Sequence, residues 1–269
     1  MYKRKNRVIN TKIILFVLFV IPSTVISNNR IAEADSLFAL RNENFDIQRL
    51  LADTAYVNQA IRIYKDVLIT SADSLQKSEA LWKLLQAFYF KGQFGTEDEG
   101  VKQDIYDEGI DIGEAYILEI PETVEVYAWL GINWARWAEV SGILSAAMKG
   151  VAGKVKEYAE KTIALDEKYL DAGGYRLLGM LHLSVPHIPL LLNWPSNEEG
   201  VLNLEKAYKI APHNLYNKMY LAMALHSEDQ LERSRALLKE IMNTKEIVHD
   251  LAIDSFIKKE AENYLLNEF

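Results

Sequence analysis

The sequence predicts an all-α protein made of stacked helical hairpins that wind into a superhelix. Three observations lead there. Beyond residue 27, apolar residues recur at spacings of three and four rather than two, the period of helices and not of strands. Glycine and proline are sparse inside these periodic runs and concentrate near residues 92–100, 121, 142–153, 173–174 and 186–200, where chain reversals belong. Helix ends that resemble one another return along the chain, the mark of a repeat architecture.

The first element is a targeting segment. Lys3, Arg4, Lys5, Arg7 and Lys12 precede the apolar run Ile13 to Ile21, then Pro22 and the small-residue site Val25-Ile26-Ser27. This three-part pattern predicts a secretory signal peptide over residues 1–27, cleaved after Ser27, and hence a periplasmic or extracellular protein. The competing reading is a retained anchor, but the apolar core is short of the roughly 20 residues that span a bilayer. Removing residues 1–27 takes away five cations and no acid, so the net charge moves from −8 to −13, with 25 Lys and Arg against 38 Asp and Glu. So acidic a surface repels phosphate backbones and anionic lipid heads, which argues against nucleic acid or a membrane surface as partner. The chain has no cysteine, which excludes disulfides, thiolate metal sites and a cysteine nucleophile.

Residues 28–56 are expected to form an N-terminal helical cap, residues 57–244 the repeat array and residues 245–269 a C-terminal capping helix. Within the array one set of segments ends helices: "YKDVLITSA" (64–72), "GEAYILEIP" (113–121), "AEKTIALDE" (159–167), "LEKAYKIAP" (204–212) and "LKEIMNTKE" (238–246). Aligned at Val67, Tyr116, Thr162, Ala207 and Ile241, they give pitches of 49, 46, 45 and 34 residues. A second set carries a leucine, a small residue or Gln, and a bulky residue three further on: Leu85-Gln86-Tyr89, Leu130-Gly131-Trp134, Leu178-Gly179-His182 and Leu221-Ala222-Leu225. The small residue lets a partner helix approach closely. The two sets are helix B and helix A of a repeated hairpin whose apolar face is buried only by its neighbours.

The alternation of "LG" plus a bulky residue with "EKAYKIAP" resembles the tetratricopeptide (TPR) superfamily, whose period is 34 residues. Within it, "YAWLGINWARWAEVSGIL", "DAGGYRLLGMLHLSVPHIP" and "NWPSNEEGVLNLEKAYKIAP" together resemble the exported helical T component associated with tripartite (TRAP) solute transporters, over residues 57–244. The resemblance implies a concave surface lined by fixed positions of each helix A: Lys83, Ala87, Phe90 and Lys91; Ala128, Ile132, Ala135 and Arg136; Arg176, Met180, Leu183 and Ser184; Met219, Met223, His226 and Ser227. These positions hold four cations and no acid in an otherwise acidic chain. The expected site is therefore an apolar groove with Lys83, Arg136 and Arg176 as anion anchors and Phe90, Met180, Met219 and Met223 along its wall. Trp134 and Trp137 share a helix face and have two readings, hairpin core or the wall of a ligand cavity.

Between helix A and helix B of one hairpin, "SVPHIPLLLNWPS" denies helix to a strongly apolar stretch through Pro186, Pro189 and Pro195. Its residues Pro186, Ile188, Pro189, Leu190, Leu191 and Trp194 are expected to fold back on the hairpin, cover the groove or contact a partner; partial exposure for self-association or docking is the reading adopted. Ser196 followed by Glu198 and Glu199 predicts the start of the next helix.

Catalytic and metal motifs are absent from the sequence. His182 and His187 straddle Pro186 at a spacing that suits no zinc site, and "GTEDEG" (95–100) lacks the ligand alternation of a calcium loop. No GxSxG, SxxK, GxGxxG or phosphate loop occurs, and no cofactor is implied. The expectation is an exported, non-catalytic binding protein. The resemblance implies an accessory role in TRAP-type solute transport: an organic-acid or lipid-like ligand, that is an apolar anionic small molecule, an extracytoplasmic solute-binding protein as partner, and homo-oligomerisation. The alternative is a cell-envelope scaffold that binds another envelope protein and no small molecule.

Overall fold

The computed structural model describes residues 23–185 and 195–269. Twelve α-helices run through them: α1 (Ser23–Ala39), α2 (Ala55–Thr70), α3 (Ser74–Phe94), α4 (Glu99–Tyr116), α5 (Val124–Ser141), α6 (Ile143–Met148), α7 (Val151–Leu165), α8 (Tyr169–Ser184), α9 (Asn197–Ile210), α10 (Leu215–Ser227), α11 (Leu231–Asn243) and α12 (Leu251–Glu268). A single 3-10 turn, Leu40–Asn42, follows α1. No strand occurs among the described residues, only an isolated bridge between Asp46 and Leu51. The docking loop expected at Pro186, Ile188, Pro189, Leu190, Leu191 and Trp194, and most of the expected signal peptide, lie outside the described residues.

The helices pack as consecutive hairpins, α1 with α2, α3 with α4, α5 with α7, α8 with α9 and α10 with α11, each stacked on the next. All four leucine-small-bulky motifs fall on the first helix of a hairpin, and all five recurrent ends close the second. Starts are fixed by local chemistry. Asp73, Asp98, Ser196, Asn214 and Asp250 each accept a backbone N–H of the first turn that follows, an interaction worth about 1 kcal/mol per cap.

Small residues set how closely the helices approach. A Cβ on Gly179 would stand 2.6 Å from Leu204 Cγ and 3.1 Å from Gly200 O, so α8 and α9 touch almost backbone to backbone. Gly131 plays the same part between α5 and the side chains of Tyr158 and Leu177. The short α6 is an insertion between α5 and α7, bracketed by Gly142 (φ 77°) and Gly150 (φ 66°), positions where an L side chain would be strained.

Two large apolar cores result, one running from Ile31 through α7 and the other centred on α10 and α11. The last helix joins them: Ala252 is buried in the first, Ile257 and Ala261 in the second, and Ile253 and Phe256 pack against both. At its N-terminal end α12 meets the first hairpin, where Arg41 Nε and Nη2 both donate to Asp250 Oδ2 (3.1 and 2.7 Å) and Ala252 N donates to Asn42 Oδ1. Within the superhelical stack, α12 thereby links the last hairpin to the first.

Candidate functional site

The expected helix A positions lie in separate surroundings and not in one open groove. At the N-terminal end, Lys83 Nζ donates to Asp35 Oδ2 (2.6 Å) and Glu79 Oε1 (2.7 Å), and Tyr64 OH donates to Asp35 Oδ1. Burial lowers the pKa of Lys83, but its two carboxylate partners outweigh that and raise it overall, so the charge is held and neutralised within the fold. Phe90 is buried beside Phe38 and Phe94, with ring centroids 6.0 and 5.1 Å away. This end of the inner face is core plus an ion-pair cluster.

The middle is different. Tyr89 of α3 and Tyr216 of α10 share a hydrogen bond of 2.8 Å between their hydroxyls, across the interior of the stack. Arg136 of α5 lies over the Tyr89 ring, donates to Tyr220 OH (3.2 Å) and pairs with Glu139 (2.6 Å). Arg176 of α8 lies over the Tyr216 ring and donates to Asn217 Oδ1 (2.7 Å), Leu170 O and Asp171 O. The two guanidiniums therefore bracket a layer of phenols drawn from α3 and α10.

Their electrostatics diverge. Burial lowers the pKa of both, but Glu139 carries Arg136 well above the ordinary arginine value, whereas Arg176 stays below it. No carboxylate among the described residues pairs with Arg176; its charge is spread over carbonyls and an amide. His249 stacks on Tyr216 at 5.8 Å with Nε2 buried and without a hydrogen-bond partner. Burial, opposed by Asp254 and aided by Arg176, pushes its pKa down.

Asn217 organises this layer. Its Nδ2 donates to Asp171 O, Ala207 O and Ala211 O while Oδ1 accepts from Arg176. The need is visible at the start of α8, where Leu170, Asp171 and Ala172 hold φ of 50°, 54° and 66°. Such a turn costs about 1–2 kcal/mol for each L residue. Asn217, Arg176 and the Asn214 bond to Asp171 Oδ2 offset it. Neither Asn217 nor the tyrosines belonged to the expected site; a buried polar residue at an apolar-periodic position was the signal for Asn217.

The remaining expected residues divide. Met219 is buried and Met180 and Met223 partly buried in the C-terminal core. Trp134 and Trp137 have other neighbours than Arg136: Trp134 Nε1 donates to Glu114 of α4, and Trp137 is buried beneath Lys149, which pairs with Asp107 of α4. The core reading of these tryptophans fits that placement, and they are not brought to the arginines. Shallow surface hollows lie along α7 (Gly153, Lys156, Glu160) and between α2 and Lys91, and neither includes Arg136 or Arg176. Among the described residues no cluster of His, Cys, Asp and Glu is arranged to hold a metal, and no helix is long and apolar enough to cross a membrane.

Comparison with known proteins places this geometry. Among solved structures, the crystal structure of TTC0263, a thermophilic TPR protein of Thermus thermophilus, aligns with a TM-score of 0.56 at 14% identity, covering 89% of this chain and 99% of that one. A crystal structure of the MamA protein aligns with a TM-score of 0.47 at 16% identity, covering 90% of this chain and 96% of that one. The first likeness establishes a TPR-like fold. No curated protein matches the sequence. The family model described as regulator of microtubule dynamics protein 1-3 matches residues 45–268, from the turn before α2 through the end of α12, and the chain belongs to that family.

Proposed function

We propose that the protein is a non-catalytic scaffold that binds another protein through its helical repeats. The observation that carries this reading is the TPR-like stack of hairpins, an architecture whose repeated faces suit extended protein contacts. The family's description concerns microtubule dynamics, and what we take from it for this chain is engagement of a protein partner. The inner arginines support the same choice. Arg136 and Arg176 are occupied by the chain's own phenols, amide and carbonyls, which leaves them little capacity to anchor a passenger.

We place this scaffold outside the cytoplasm, on the basic, apolar and small-residue order of residues 1–27. The finer reading drawn from the transporter resemblance makes the partner an extracytoplasmic solute-binding protein and the scaffold a homo-oligomer. It differs from the scaffold reading in requiring an apolar anionic small molecule inside.

Native mass spectrometry of the purified chain, followed by denaturation, separates the two. The scaffold reading expects an empty protein, together with a discrete protein adduct in the native host when a photo-crosslinker replaces Leu118, which is 92% exposed. A stoichiometric amphiphilic anion released on denaturation overturns it in favour of solute handling.

A further inference from the structure

The connections from one hairpin to the next carry apolar side chains that the fold does not use. At the end of α2, Val67 and Leu68 are buried while Ile69 is 74% exposed, and Leu75 at the start of α3 is 66% exposed. After α4, Ile117 and Ile120 pack against the core, whereas Leu118 between them faces solvent. At the end of α7, Thr162 is buried and Leu165 is exposed. In each connection the helical period has already supplied the core, so these side chains are left over from packing.

The three connections are neighbours. Lys77 pairs with Glu119 (3.5 Å) and the hydroxyls of Ser78 and Thr123 lie 3.3 Å apart, which sets the turn between α2 and α3 beside the turn between α4 and α5. Lys161 pairs with Glu122 (2.8 Å), which brings the end of α7 to the same place. Ile69, Leu75, Leu118 and Leu165 therefore follow one edge of the stack. Apolar side chains gathered in this way mark a contact surface, unlike single ones scattered over a protein.

Charge decides what fits the edge. Residues 69–78, 117–125 and 161–168 hold six carboxylates and three lysines. Lys77 and Lys161 neutralise Glu119 and Glu122, which leaves Asp73, Glu125, Asp166 and Glu167 against Lys168. The same edge on a second copy would set acid against acid, and an anionic bilayer would be repelled for the same reason. A segment that carries both apolar residues and lysine or arginine matches both halves of the surface.

We propose that this edge is the docking surface of the scaffold, and that its partner is a basic amphipathic protein segment. This rests on the scaffold reading above and adds where the partner sits and what chemistry it presents. The apolar side chains supply the buried contact, and the carboxylates steer and orient the encounter.

The test uses the full chain and, as probe, a fluorescein-labelled amphipathic peptide of leucine and lysine, with a matched peptide of leucine and glutamate. Ile69→Lys combined with Leu118→Lys removes apolar area and adds cations at two helix C-terminal ends, where positive charge is favoured, so the fold is retained. This variant is expected to bind the lysine peptide at least about tenfold more weakly than the parent does. Met148→Lys combined with Leu266→Lys makes the matched change at exposed positions off the edge, and is expected to keep the affinity within about twofold. Binding of the lysine peptide should weaken as salt is added, and the glutamate peptide should bind far less well. The proposal is overturned if both variants lose affinity alike, if the glutamate peptide binds as tightly, or if the lysine peptide does not bind the parent. Phosphatidylcholine vesicles that bind the parent but not the Ile69→Lys, Leu118→Lys variant also overturn it, in favour of a membrane contact. Failure here is distinct from failure of the scaffold reading. That reading falls to a stoichiometric anion released in native mass spectrometry, whereas an empty protein with an inert edge keeps the scaffold and removes only this surface.

Discussion

Tyr89 and Tyr216, 127 positions apart in sequence, meet hydroxyl to hydroxyl at 2.8 Å inside the stack, and that bond ties the second hairpin directly to the last. Both pKa values are raised, by burial first, so both phenols stay neutral and one can donate to the other. Replacing either with phenylalanine leaves a buried hydroxyl without its partner, and each single variant is expected to lose about 1–2 kcal/mol. Tyr89→Phe with Tyr216→Phe should cost less than the two losses added together, because no orphan remains. Urea denaturation of the four proteins measures the coupling; strict additivity would show that the contact does not form.

Asn217 is expected to be among the most sensitive polar positions. Asn217→Ala strips an acceptor from Arg176 and a donor from three carbonyls, one of which belongs to the left-handed turn at Asp171. A loss of about 2–4 kcal/mol follows, several times that of an ordinary surface change. Thermal melts of Asn217→Ala beside Asn203→Ala, whose amide makes one exposed bond to Glu199 O, check the contrast.

The glycines of the array should respond in opposite directions. At Gly179 an added methyl collides with Leu204 and the α9 backbone, so Gly179→Ala is expected to destabilise by about 1–3 kcal/mol. At Gly153 in α7 nothing lies within 4 Å of the added carbon, so Gly153→Ala should stabilise by up to about 1 kcal/mol. Two melting temperatures shifted in the same direction would contradict the packing described.

Acid should weaken the fold through two histidines. Burial holds both His182 and His249 below the ordinary value of 6.5, and the neutral Nδ1 of His182 accepts the N–H of Ser196 at the start of α9. In the unfolded chain these groups take up protons near 6.5, while the folded chain resists until lower pH. Stability is therefore full above that value and is lost as pH falls from 6.5 toward the lowered folded values. His249→Phe should flatten part of this decline between about pH 7.5 and about pH 5.5, measured by denaturant midpoints; an unchanged slope would remove His249 from the account.

The helices were legible because their signals are local. The spacing of Leu130-Gly131-Trp134 and Leu178-Gly179-His182 marks both the helix and the face that needs a close neighbour, and Ser196 announces α9 by its capping chemistry alone. The inner face was legible only in part. Aligned positions identified Arg136 and Arg176 as inward, but not what meets them, since Tyr216 and Tyr220 come from a distant hairpin. Lys83 reads as a free cation until Asp35 of α1 is folded against it. Trp134 and Trp137 share a face, yet only packing of α4 and α7 on that face decides that it is hairpin core. The left-handed turn at Leu170, Asp171 and Ala172 was invisible, because Leu and Ala disfavour positive φ and the neighbouring Gly173 and Gly174 are the residues that ordinarily adopt it.

The central claim is that α12 closes the stack onto its first hairpin. The chain has no cysteine, so Gln48→Cys and Lys259→Cys can carry a pair of spin labels without interference. Double electron–electron resonance on this doubly labelled protein is expected to give one narrow, short distance, because the Arg41–Asp250 pair and the bond from Ala252 N to Asn42 Oδ1 remain to hold α12 against the first hairpin. A broad distribution centred at long distance would mean that α12 does not rest on the first hairpin, and would contradict the account.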